Sequence, residues 1–149
     1  MAATTEGAVK AFCEGLGLGV PFFREGPREG QAPPFGVVQR QNIAVEGSGT
    51  GDYGDPNAEV TVIETITIDL IQPARVKVSA RVAKNRERYG LAEVYAAALN
   101  GCTLPAAPSP VTAVRVQDID RFPVADNRIR ESITVHVHRT LRRSEVVPV

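Results

Sequence analysis

His136 and His138 are the only histidines among 149 residues, and their H-x-H spacing is the sharpest chemical signal in the chain. On a strand, residues two apart share one face at a separation of about 7 Å, so the two imidazoles could begin a zinc site. A third ligand is missing: the same-face neighbours Thr134 and Thr140 bind zinc poorly, and neither Cys13 nor Cys102 lies near the motif. The pair reads as two surface histidines. Asp55, Asn57 and Glu59 have the spacing of the first three ligands of a calcium-binding loop. Val60 stands where that loop needs Gly and Ile66 where it needs a bidentate Glu, so the stretch reads as a turn containing Pro56.

Phosphate chemistry fails on order and composition. Gly15, Gly17 and Gly19 follow a helical pattern and lead into a Pro-rich stretch, whereas a dinucleotide fingerprint needs a strand before its glycines and a helix after them. Gly47 to Asn57 (GSGTGDYGDPN) lacks the Lys-Ser/Thr of a phosphate loop. Arg75, Lys77, Arg81, Lys84, Arg86 and Arg88 could track a phosphate backbone, but only Tyr89 is at hand for base stacking. This span reads as a solvated or subunit-facing basic patch. The chain carries no GxSxG and no HExxH. No enzyme, cofactor or metal is expected from these residues.

Lys+Arg and Asp+Glu both number 17, and this balance argues against a protein built to bind a polyanion. The halves differ: residues 1–74 hold ten acids against four bases, −6, and residues 75–149 carry +6. Such asymmetry reads either as two solvated faces or, more sharply, as complementary halves of subunits that meet head to tail. The 43% hydrophobic content and the length fit one globular domain over 1–149, with mobile loops expected near 21–34 and 47–58. No run of 18 apolar residues and no apolar signal core is visible, so neither a membrane span nor secretion is expected. Cys13 and Cys102 lack CxxC spacing and read as small buried hydrophobes.

These residues need elements to position them. Thr4 or Thr5 offers an N-cap, and Val9, Phe12, Cys13 and Leu16 recur at helical spacing before the glycines. Phe35 to Glu46 reads as a strand, with Phe35, Val37, Ile43 and Val45 on one parity. Glu59 to Gln72 alternates most clearly, with Val60, Val62, Ile66, Ile68 and Leu70 on one face. Glu87 to Asn100 predicts a second helix through Leu91, Val94, Tyr95, Ala98 and Leu99, stopped by Gly101. Val111 to Ile119 and Arg128 to Leu141 form a hairpin with Asp126 and Asn127 at its tip. In the last strand Ile129, Ile133, Val135, Val137 and Leu141 face one way. The segment Ala74 to Arg88 fits helix and strand about equally. The expected fold is α+β: a four-stranded, mainly antiparallel sheet with two helices packed on one face.

The order of these pieces, with PPFGVV, GDYGD, ETITIDLIQ, ERYGLAEVYAAALNG and VRVQDIDRFPVADNRIRESITVHVHR, resembles the tail terminator (tail completion) proteins of long-tailed bacteriophages. The resemblance covers about the whole chain, and is loosest at Ala74 to Arg86. It implies a structural virion protein that forms a hexameric ring on the tail tube, ends tube polymerisation and joins the tail to the head connector. Implied partners are further copies of the chain, the tail tube protein and a head-closure or connector protein. DNA passes through the lumen without specific binding. The implied place is the tail or neck of the virion, assembled in the host cytoplasm, with no membrane. Carried over by position, subunit or tube contacts fall on Asp52, Tyr53, Asp55, Asp126, Asn127 and Arg128, beside the basic residues Arg75, Lys77, Arg81, Arg86 and Arg88. The rival readings are another phage neck or head-closure protein, and a small metal-dependent enzyme built on His136 and His138.

Overall fold

A computed structural model describes residues 4–27, 29–46, 59–73, 90–122 and 125–142. Thr4 is the N-cap of helix α1 (Thr5–Gly15): its hydroxyl accepts from the Gly7 N–H, satisfying one of the free donors of the first turn. Glu6 in that turn complements the helix dipole. Strands β1 (Phe22–Phe23), β2 (Phe35–Glu46), β3 (Glu59–Pro73), β4 (Val111–Arg121) and β5 (Arg128–Arg142) form one sheet in the order β1-β2-β3-β5-β4. The second helix, α2 (Leu91–Leu99), lies between β3 and β4 in sequence.

The α+β class and the two helices on one face stand, but the sheet has five strands and is mixed. The additional strand, β1, runs parallel to β2 through Phe22 opposite Gly36 and Phe23 opposite Val37. Two residues carry no readable alternation; tertiary contact makes this strand. The Gly36 N–H donates to the Pro21 carbonyl at 2.9 Å. Phe22 is buried edge-on against Tyr95, with ring centroids 5.2 Å apart, a favoured aromatic geometry. The Phe22 ring also lies over Gly36, where an added Cβ would stand 2.4 Å from it. Only glycine permits that approach.

β3 forms the middle of the sheet, pairing antiparallel with β2 and β5 along nearly its whole length. Its even-numbered residues Ile66, Ile68 and Leu70, with Val38, Val114, Ile133, Val135 and Val137 from neighbouring strands, make the floor of the core. Ala8, Val9 and Cys13 of α1 and Ala92, Tyr95, Ala96 and Leu99 of α2 close it from above. The buried stripe of α2 is rotated from the expected one: Ala92 and Ala96 face inward, and Val94 is exposed. Small residues at these positions let the helix sit close to the sheet. Gly101, at φ 77, ends it as expected. Burial raises the Cys13 thiol and the Tyr95 phenol each to about 12. Cys13 is thus a neutral core residue at physiological pH.

The parity expected for β2 breaks midway. A bulge at Gln41, between the pairs Arg40↔Ile66 and Asn42↔Thr65, adds one residue and flips the faces. Phe35 and Val37 are buried on the face away from the helices, whereas Ile43 and Val45 sit opposite Glu64 and Val62 on the helix side. Ile43 and Val45 are nevertheless 40% and 67% exposed.

Candidate functional site

The hairpin tip has the expected form. Asp126 and Asn127 take φ of 52 and 56, and Ala125 and Arg128 exchange both backbone hydrogen bonds across them, at 3.1 and 2.9 Å. Two successive left-handed residues make the tight turn that matches strand twist, and Asp and Asn tolerate it. Arg128 leaves this tip beside a groove of about 530 Å³, lined by Phe35, Ile71, Phe122, Asp69 and Arg130 among others. The Arg130 guanidinium stacks 3.9 Å from the Phe122 ring centroid, a cation–π contact that holds both side chains over the open sheet face. The other predicted contact residues, Asp52, Tyr53, Asp55, Arg75, Lys77, Arg81, Arg86 and Arg88, lie outside the described residues.

His136 and His138 are on β5, on the face away from the helices. His136 lies between Thr65 and Arg115, and His138 between Ile63 and Ala113. Among the described residues, no group of three or more His, Cys, Asp or Glu is placed to hold a metal ion.

The sheet's borders differ. On β4 the Val114 carbonyl accepts from the Gly101 N–H at 2.8 Å, and the Val116 N–H donates to Asn100 Oδ1 at 3.0 Å. Two register shifts, around Thr112 and Gln117, interrupt the same strand. Arg115, Asp118, Asp120 and Arg121 on it are exposed. Bulges, charges and backbone partners of this kind block further strand pairing. On β2, by contrast, β1 covers only Gly36 and Val37. Among the described residues nothing pairs with the outer edge from Asn42 to Glu46, and every side chain there is exposed.

Sequence reasoning missed a buried polar cluster. Glu64 falls on the core parity of β3 and Arg139 on the core parity of β5; they are 1% and 8% exposed. Arg139 Nε donates to Glu64 Oε1 at 2.6 Å, and its Nη2 reaches the same oxygen. The Thr5 hydroxyl donates to that oxygen at 2.7 Å, and Arg139 Nη1 donates to Ser109 Oγ at 2.6 Å. One ion pair thereby ties the start of α1 and the α2–β4 connection to the central strands. Glu64 Oε2 is buried without a hydrogen-bond partner among the described residues. The signal was available: an acid and a base each interrupt an otherwise apolar stripe on adjacent strands, and a buried charge requires a partner.

No protein-family model matches the sequence, and no curated protein matches it. A solved structure does match in fold: a chain in the virion of a native gene transfer agent particle, with a TM-score of 0.63 and 14% identity, covering 93% of this chain and 96% of that one. At this identity the likeness is one of fold.

Proposed function

We propose that this chain is a structural virion protein of a long-tailed phage or phage-like particle, and that it assembles as a hexameric ring capping the tail tube. The observation that carries the reading is the fold likeness, over nearly the full length of both chains, to a component of a gene transfer agent virion. The resemblance of the element order and signatures to tail terminators supports the finer role. Its place is the neck of the particle, and its partners are further copies of itself, the tube protein and a head-side connector.

The physical logic is termination by asymmetry. A ring needs two different, complementary patches on each subunit, because a head-to-tail contact closes only through a heterologous interface. The −6 and +6 halves of the sequence supply opposite charge for such a contact. One face of the ring accepts the last tube subunits, and the other presents no surface on which another tube ring can grow. Asp126, Asn127 and Arg128 at the hairpin tip are contact candidates, as are Asp52, Tyr53, Asp55, Arg75, Lys77, Arg81, Arg86 and Arg88. DNA leaving the head passes through the lumen, which works best with a weak, mixed-charge lining.

Native mass spectrometry of the protein with and without tail tubes, paired with electron microscopy of tube ends, tests this. Hexameric rings seated on tube ends are expected. A chain that ignores tube ends and binds portal complexes instead would belong on the capsid side.

A further inference from the structure

We propose that the outer edge of β2, Asn42–Glu46, which no described residue pairs with, pairs antiparallel with the same edge of a second copy, with Ala44 at the two-fold axis. This goes beyond the ring reading and does not depend on it. A head-to-tail ring uses heterologous contacts whereas this pair is isologous, so the two contacts are distinct.

The edge is competent for pairing. After the bulge at Gln41 its register with β3 runs unbroken from Asn42↔Thr65 to Glu46↔Thr61. All five residues are exposed, so a regular strand presents unpaired backbone groups to solvent among the described residues. The other border of the sheet is closed to the same use, because Gly101 and Asn100 already occupy the outward groups of Val114 and Val116.

The side chains select the partner and the register. Ile43 and Val45 point to the helix side, opposite Glu64 and Val62, while Asn42, Ala44 and Glu46 share the other face with Thr65, Ile63 and Thr61. A two-fold axis perpendicular to the sheet keeps each face with its like, so facing residues must share parity. With Ala44 opposite Ala44, Ile43 faces Val45 twice on the helix side. Asn42 faces Glu46 twice on the other side, an amide donating to a carboxylate, and the smallest side chain lies at the axis. No like charges oppose one another. Centring on Ile43 instead sets Val45 against the bulged Gln41, whose side chain is turned to Thr67 at 3.0 Å on the opposite face. Of these two registers, the segment complements itself in the one centred on Ala44. Five residues a side bury little area, which places the pair in the weak, concentration-dependent class below roughly 1,200 Å².

Directly opposed residues of an antiparallel pair have Cα atoms about 4.5–5.5 Å apart, within disulfide range. The test is therefore Ala44→Cys in a Cys102→Ser background, oxidised mildly and read on a non-reducing gel, with the background alone and Glu46→Cys as comparators. A covalent dimer through position 44 alone is expected, since two copies of position 46 stand four residues out of line. Sedimentation equilibrium of the unaltered protein should show a monomer–dimer equilibrium. Val45→Lys, at a position 67% exposed, should weaken it about tenfold with an unchanged circular dichroism spectrum, through the loss of two cross-strand apolar pairs. A monomer at all concentrations without the position-44 link overturns the proposal, as does equal linking at positions 44 and 46. A hexameric ring without the link also overturns it while leaving the ring reading intact; a linked dimer that ignores tube ends does the reverse.

Discussion

β4 and the far half of β2 both border the same sheet, and both are long enough to accept another strand, yet among the described residues β4 is occupied and β2 is not. β4 has its outward carbonyl and amide taken by Gly101 and Asn100, its ladder broken by two register shifts, and its exposed positions filled by Arg115, Asp118, Asp120 and Arg121. β2 is guarded over Gly36 and Val37 by a two-residue strand, then continues with Ile43 and Val45 exposed among the described residues. A free edge with apolar residues is an aggregation hazard unless it has a partner. The asymmetry distinguishes a border finished within the monomer from one left for assembly.

The largest expected effect comes from the frame that holds both borders. Glu64→Ala leaves Arg139 buried without its carboxylate, a loss of about 3–5 kcal/mol. Urea unfolding followed by circular dichroism measures it. A loss below about 1 kcal/mol, the surface-pair range, would mean that the pair is solvated and that α1 and Ser109 are held by other contacts.

Gly36→Ala attacks the guarded part of β2. Its Cβ would meet the Phe22 ring at 2.4 Å, so β1 must shift, at a cost of about 1–3 kcal/mol by the scale of overpacked cores. Hydrogen exchange of the amide at position 36, which donates to the Pro21 carbonyl, should accelerate along with the loss of stability. Unchanged exchange would show that β1 does not depend on the glycine.

Asn100→Ala is the smallest and the most local. It removes the acceptor of the Val116 N–H, with a net loss of about 0.5–1.5 kcal/mol. Faster exchange at Val116 and increased self-association are the expected readouts. They would sharpen the contrast by making β4 resemble β2.

Much of the fold was legible in the sequence because its strands obey local rules. Alternation in Glu59 to Gln72 and Arg128 to Leu141 located β3 and β5 to within a residue at each end. The Asp126-Asn127 pair marked the hairpin tip, and Gly101 marked the end of α2. Less of the site was legible. Glu64 and Arg139 each occupy a core parity, but nothing in their separate neighbourhoods says that β3 and β5 are adjacent, which is what brings the two charges together. The residue types at Asn100 and Gly101 spoke only of a helix end, and their second task on β4 depends on where the chain turns in space.

By itself, the sequence determined what depends on near neighbours: the periodicity of strands and helices, a helix cap at Thr4 or Thr5 and the left-handed turn. Those preferences act over a few residues and need no knowledge of the partner strand. Tertiary structure decided the rest. Phe22–Phe23 became a strand because Gly36 lets an aromatic ring lie on it, and β2 changed face at Gln41 because an extra residue must be absorbed where two long strands run in register. Which border of the sheet was closed and which left open was decided there too, because unpaired backbone groups are satisfied or exposed only by what the folded chain brings beside them.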